Sequence, residues 1–296
     1  MRIGYYPGCS LKSSAREYEE SVRALCAALD LELVEIPDWN CCGASSAHVM
    51  SADLALGLRT RNLAQAEAAG LDEVLTPCAA CFSHLAEARM ELADNPNKRQ
   101  EVADFIGLPY SGRVRVLNVL AVLDRYRDRI AAKVKNPFRY KVACYYGCLL
   151  VRPPEVVQFD RPENPQSMDR LLEAVGAKPI PWACKTECCG ASFSVTRTDV
   201  VANLSGRIVA DAVKRNAAAI VVACPMCQSN LDLRRPEINQ QLEQEHGIPV
   251  LYITQALGLA LGIDPQQLGL QRHLVPVELP EPEPEVVTAD DDDDDD

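Results

Sequence analysis

The chain reads as α/β: two duplicated Rossmann-like parallel-sheet domains related by a pseudo-two-fold, with a disordered acidic C-terminal tail. Three observations predict this. Strand-like and helix-like segments alternate from residue 2 to about residue 262, and that alternation implies parallel sheets with right-handed crossovers. A five-cysteine constellation occurs twice, as Cys9, Cys41-Cys42, Cys78 and Cys81, and again as Cys148, Cys188-Cys189, Cys224 and Cys227. The offset between the sets is 139 at the first cysteine, 147 at the double cysteine and 146 at the Cys-x-x-Cys. One eight-residue insertion and one single-residue deletion therefore superimpose the halves. The expected division is a first domain over 1–135, a second over 136–270 and a tail over 271–296, with the linker near Lys133–Arg139.

In the first half, residues 2–6 predict a buried strand ending at Pro7-Gly8-Cys9. Val22, Leu25, Cys26 and Leu29 recur at helical spacing and predict a helix over 15–29. A strand over 31–36 runs into Trp39-Asn40 and the double cysteine. An Ala/Leu-rich helix over 52–69 is stopped by Gly70. A strand over 73–75 leads to Cys78-x-x-Cys81 and a further helix, and a polar stretch over 94–100 intervenes. A strand over 114–117 and a helix over 119–133 complete the half. The second half replays this order: strands over 140–146, 178–181, 218–223 and 249–253, with helices over 168–175, 200–216 and 255–262. A Pro-rich insertion spans 152–166. In parallel sheets ligands sit beyond the carboxyl ends of the strands, so each set of five thiols is expected to converge on one edge of its sheet.

Composition narrows the class. Apolar residues make up 48% of the chain and aromatics 5%, consistent with an aliphatic α/β core. No apolar run approaches the ~18–20 residues that span a bilayer. The N-terminus has no secretory segment, so a reducing cytoplasmic location is expected, where cysteines hold metal more readily than they form disulfides. The net charge is −12, but residues 278–296 hold eleven acids and no base, which leaves −1 for residues 1–277. The body has no basic patch for nucleic acid. The tail has too little apolar surface to fold and is read as solvating.

Three chemistries compete for ten patterned cysteines. Disulfides suit neither the expected compartment nor the size of the core. A structural zinc takes four ligands, usually from two Cys-x₂₋₄-Cys knuckles, whereas each half has one such knuckle and a vicinal pair. Soft thiolates grouped five at a time favour an iron–sulfur centre, and five exceed the four ligands of an ordinary cubane.

The motifs Tyr6-Pro7-Gly8-Cys9, Trp39-Asn40-Cys41-Cys42-Gly43-Ala44, Thr76-Pro77-Cys78-Ala79-Ala80-Cys81, Tyr145-Tyr146-Gly147-Cys148, Glu187-Cys188-Cys189-Gly190-Ala191 and Cys224-Pro225-Met226-Cys227 carry a resemblance. The chain resembles the catalytic polypeptide of heterodisulfide reductase known as HdrB, with its two cysteine-rich CCG domains, over residues 1 to about 262. The resemblance implies two noncubane [4Fe-4S] clusters, one on Cys9, Cys41, Cys42, Cys78 and Cys81, the other on Cys148, Cys188, Cys189, Cys224 and Cys227. It also implies a small disulfide held between the clusters and reduced to two thiols, as CoM-S-S-CoB is or an analogous disulfide. The implied partners are a ferredoxin-like C subunit and a flavin-containing A subunit, because this chain has no nucleotide-binding glycine loop of its own. Two rival readings stand beside this one. The first is an iron–sulfur electron-transfer subunit of a benzoyl-CoA reductase, glycolate oxidase or quinone-linked assembly. The second is a zinc-stabilised scaffold, with zinc in at least one half.

Other residues take lesser expectations. His48 and His84 are candidate proton donors near the first site, set against scaffold histidines. Lys185 either steers an anionic substrate or is a solvated loop lysine. Cys26 reads as core, and Cys144 and Cys184 as pocket or core residues outside the repeat.

Overall fold

The structure, a computed structural model, describes residues 2–44 and 47–282. Strands β1 (Arg2–Tyr5), β2 (Glu32–Glu35), β3 (Glu73–Leu75) and β4 (Arg115–Leu117) form one parallel sheet in the order β2-β1-β3-β4. Strands β5 (Lys141–Tyr145), β6 (Lys178–Pro179), β7 (Ala219–Val222) and β8 (Val250–Tyr252) form a second in the order β6-β5-β7-β8. Every pairing is parallel, so the duplication holds at the level of topology. Registry aligns the strand ends. Tyr5 lies opposite Glu35 and Leu75, and Leu75 opposite Leu117. The loops after β1, β2 and β3 therefore leave from one edge of the sheet, and each carries cysteines.

The halves pack reciprocally. The helix Arg16–Ala28 of the first half packs on Ile253–Ala260 of the second, while Ser167–Glu173 of the second packs on Val119–Asp124 of the first. First crossover helix against the helix that follows the last strand, in both directions, is a pseudo-two-fold. One apolar core runs without interruption through this seam, including Tyr18, Leu25, Leu120, Leu171, Ala256 and Leu257. A smaller core with Leu63, Val74 and Leu85 sits within the first half. At the seam the Tyr18 and Tyr252 rings stack, with centroids 3.9 Å apart and planes 5° from parallel, and Ser21 Oγ lies 2.7 Å from Thr254 Oγ1.

Several details depart from expectation. The polar stretch after residue 94 is a helix, Pro96–Ile106. Asn95 caps it by accepting from Lys98 N at 3.0 Å, Pro96 takes the first turn, and Gly107 ends it at φ +67°, each a local signal for a helix. A second unexpected helix is Arg235–Leu242. The expected helix over 119–133 is two, Val119–Asp124 and Arg127–Ala132, because the chain tightens at Tyr126, whose N–H donates to Leu123 O at 2.9 Å. The insertion over 152–166 contains a turn of helix, Pro154–Val157, that packs on Ala79–Ala93 of the other half. Residues 271–275, assigned by sequence to the tail, are tied down: Asp232 accepts from Leu274 N at 2.8 Å and Val275 N at 3.1 Å. Of the acidic tail, residues 283–296 lie outside the described residues.

Because Tyr18 is fully buried in the seam, truncation leaves a cavity there. Tyr18→Ala is expected to lower stability by ~3–5 kcal/mol, read as a fall in the denaturation midpoint. A loss below ~1 kcal/mol would show that the halves do not depend on this contact.

Candidate metal centres

The same local design builds each site. Cys9 follows β1 in a short helix, Gly8–Leu11, and Cys148 follows β5 in the equivalent turn. Gly8 and Gly147 adopt φ +68° and +67°, and both let backbone approach sulfur. A Cβ on Gly8 would stand 3.2 Å from Cys81 Sγ, and one on Gly147 2.9 Å from Cys227 Sγ. The double cysteines follow β2 and β6. In each pair the first thiol accepts from the amide two residues on: Gly43 N to Cys41 Sγ at 3.4 Å, Gly190 N to Cys188 Sγ at 3.3 Å. The second thiol turns inward to the Cys-x-x-Cys, with Cys42 Sγ 3.3 Å from Cys81 Sγ and Cys189 Sγ 3.7 Å from Cys227 Sγ. Cys78 and Cys224 are the N-cap residues of helices Ala79–Ala93 and Pro225–Asp232. Cys9 pairs with Cys41, and Cys148 with Cys188. All five thiols of each half are thus gathered at the carboxyl edge of its sheet.

The two sets also touch each other. The thiols of Cys78 and Cys224, equivalent positions in the duplication, are hydrogen-bonded to one another, and Cys224 Sγ further accepts from Ala79 N of the opposite half. One continuous group of sulfur crosses the seam. Among the described residues, no three His, Cys, Asp or Glu side chains surround a single point as one bound ion requires. The donors are instead spread as a chain of pairs.

Crowded, mostly buried thiols resist ionisation together. The Cys41 thiol holds Cys42 up at about 11. Cys81 is raised by its bonds to Cys42 and Cys78, and Cys227 by its bonds to Cys189 and Cys224. Two thiols collect the anionic form. Cys188 falls to about 6, chiefly because Cys148 donates to it and secondly because the Gly190 and Ala191 amides do. Cys224 falls because Cys227 and Cys78 donate to it. Burial alone raises Cys26, to about 12, and is the main cause of the rise at Cys144; both are core residues, as expected. Cys184 is half-buried, 3.9 Å from Asp211 Oδ2.

A supporting layer was not anticipated from sequence. Tyr6 and Tyr145, equivalent by the offset of 139, each donate at 2.7 Å to the carbonyl just before a double cysteine, Asn40 O and Glu187 O. Buried Asn62 accepts from Asn40 N and donates to Asn40 O, while Asn230 Nδ2 donates to Cys189 O at 3.0 Å. Fully buried asparagines in otherwise Ala/Leu- or Gln/Leu-bearing helices were the available signal. His84 Nδ1 lies 3.4 Å from Glu87 Oε2, which also accepts from Arg59; the His48 side chain lies outside the described atoms. Lys185 departs from both of its expectations. It is buried, 6% exposed, with Nζ donating to Asp169 Oδ1 at 2.6 Å and Pro165 O at 3.0 Å. Tyr146 OH donates to the other Asp169 oxygen at 2.6 Å. The ion pair fixes the loop that leads into Cys188.

Two outcomes follow. In the metal-free chain Cys188 is exposed and is expected to alkylate before the other cysteines, at a rate rising through about pH 6 and followed by peptide mapping; equal labelling of Cys188 and Cys144 would contradict the arrangement. Lys185→Met strands Asp169 as a buried unpaired charge and is expected to cost ~3–5 kcal/mol in chemical denaturation.

The Cysteine-rich domain family, CCG, matches residues 3–86 and 142–232, one copy in each half. The 8-methylmenaquinol:fumarate reductase membrane anchor subunit of Wolinella succinogenes is 33% identical over 277 residues, 92% of this chain and 96% of that protein. The HdrB polypeptide of the ferredoxin/F(420)H(2)-dependent CoB-CoM heterodisulfide reductase of Methanosarcina acetivorans is 31% identical, covering 93% of this chain and 94% of that one. Among solved structures, a hypothetical protein from Helicobacter pylori shares the fold at a TM-score of 0.76 and 14% identity; the match covers 94% of this chain and 52% of that one. These relatives by sequence are redox subunits, and no helix among the described residues is long and apolar enough to cross a membrane. The chain belongs to the cysteine-rich CCG family, carrying two copies of the domain in the manner of the HdrB polypeptides of heterodisulfide reductase.

Proposed function

We propose that this chain is the disulfide-reducing subunit of a heterodisulfide reductase-type complex, with a noncubane [4Fe-4S] cluster in each half. The observation that carries the reading is the contact of Cys78 with Cys224, which joins two complete five-thiol sets at one seam. The donor chemistry fits: Cys9, Cys41, Cys42, Cys78 and Cys81 would hold one cluster, and Cys148, Cys188, Cys189, Cys224 and Cys227 the other. Bound clusters supply single electrons, and two are needed to cleave one disulfide. The chain itself holds the thiols close, donates amides to sulfur, and keeps Tyr6 and Tyr145 neutral by burial.

A cavity of about 440 Å³ opens beside the first site, lined by none of the ten cysteines. It lies between the halves, bounded by Phe82 (next to Cys81), Val157, Phe159, Arg89 and Arg115, and its size suits a small organic molecule. His84, three residues beyond Cys81, is a proton donor within this reading. Electrons arrive from partner subunits, by resemblance a ferredoxin-like C subunit and a flavin-containing A subunit. A second reading is favoured by the fumarate reductase relative: the same two centres exchange electrons with a quinol instead of a disulfide.

Anaerobically purified protein should contain about eight irons per chain, as two four-iron clusters require, and reduce a small disulfide to two thiols. Cys41→Ser and Cys188→Ser should each abolish thiol formation with the far-ultraviolet dichroism retained. Full iron with quinol oxidation and no thiol formation would favour the second reading, and about four irons with zinc in the other half would remove the paired-cluster reading.

A further inference from the structure

A group of buried polar side chains lies at the seam, outside the thiol sets. Glu17, in the first turn of Arg16–Ala28, is 6% exposed and accepts from Tyr252 OH at 3.3 Å. The Tyr252 hydroxyl also lies 3.5 Å from Oε1 of Gln228, the residue after Cys227. The Tyr252 ring stacks on Tyr18, and Tyr18 OH donates at 3.4 Å to Pro77 O, the carbonyl before Cys78. Glu17 thus stands one aromatic pair behind the point where Cys78 meets Cys224.

The segment after the last helix closes over this carboxyl. Gly269 sits at φ +73°, where a Cβ would stand 2.6 Å from Glu17 Cα, and Arg272 pairs with Glu20 at 2.9 Å. The titratable and charged groups facing Glu17 are Tyr252, Asp232, Glu20, Arg272 (committed to Glu20) and His273. His273 Nε2 lies 2.8 Å from Gln255 Nε2, a donor, and burial keeps its imidazole toward the neutral form. Among the described residues no cation pairs with Glu17. Burial first, with Asp232 and Glu20 beside it, therefore raises its carboxyl above the ordinary value.

We propose that Glu17 takes up a proton when the iron–sulfur group that the second thiol set would hold is reduced by one electron, with Tyr252 and Gln228 linking it to that site. The proposal rests on the iron–sulfur reading above. A one-electron donor adds one electron, and one proton passes from solvent to the Glu17 carboxylate. Added negative charge near Cys224 and Cys227 favours the acid form of a neighbouring carboxyl, so the two additions assist each other. Between the Glu17 pKa of the oxidised state and the higher one of the reduced state, the midpoint potential falls as pH rises.

The test is an anaerobic titration of the iron-loaded protein with titanium(III) citrate, followed by electron paramagnetic resonance at several pH values. One site should show a potential that falls with rising pH by one proton per electron. Glu17→Gln should flatten that slope to zero at unchanged iron content, and Glu17→Asp should restore it in a shifted pH window. A wild-type potential independent of pH, or a slope that survives in Glu17→Gln, overturns the proposal and leaves the iron–sulfur reading standing. Iron absent from the wild type overturns both. If Glu17→Gln does not fold, Tyr252→Phe keeps the stacked ring and removes only the hydroxyl; a displaced pH window supports the link, and an unmoved one overturns it.

Discussion

Ten sulfur atoms packed near one seam cannot all be anions in a protein interior, and most of the structure around them follows from that constraint. Isolated buried charge is expensive, so without a counter-charge the thiols share protons in chains: Cys148 to Cys188, and Cys78 and Cys227 to Cys224. Backbone amides at Gly43, Gly190, Cys227 and Ala79 take up part of the remaining negative charge. Iron would relieve the same crowding by replacing protons. The sites are therefore shaped by electrostatic frustration among the thiols.

The parallel sheet makes such crowding possible. Strand ends aligned in register send three loops to one edge, and two of those loops lead into helices with a cysteine at or within the first turn. Buried tyrosines then pin the carbonyl before each double cysteine. The outcome is two rigid half-sites held by backbone rather than by mobile surface side chains. Joined at the buried Cys78 and Cys224, they open to solvent at Cys9 and Cys188.

Much of this was legible in the sequence, because spacing survives duplication. All eight strands among the described residues, and the convergence of each cysteine set, could be read from alternation and offset. What escaped was set by tertiary context. Pro96–Ile106 buries only Val102 and Ala103, too little apolar periodicity to stand out, although Asn95, Pro96 and Gly107 marked its ends. Lys185 was read from its charge, while its burial depends on Asp169 arriving from a different helix. The pairing of Cys78 with Cys224 spans 146 positions, and no local pattern encodes which helices of the two halves will meet. Tyr6 and Tyr145 stood in the quoted motifs, but their bonds depend on the fold.

A seam between equal halves, with equivalent residues touching on its axis, is the geometry of a homodimer with isologous contacts. In such a dimer any substitution at that face alters both sides simultaneously. In a single chain the two sides differ independently. One flank of the axis carries Tyr18 stacked on Tyr252, with the buried carboxyl of Glu17 bonded to the Tyr252 hydroxyl, and the other carries Met168 and Leu171 with the buried carboxylate of Asp169 paired to Lys185. Two copies of one domain thus place two similar thiol sets in different surroundings, and the seam is symmetric in topology but not in its side chains.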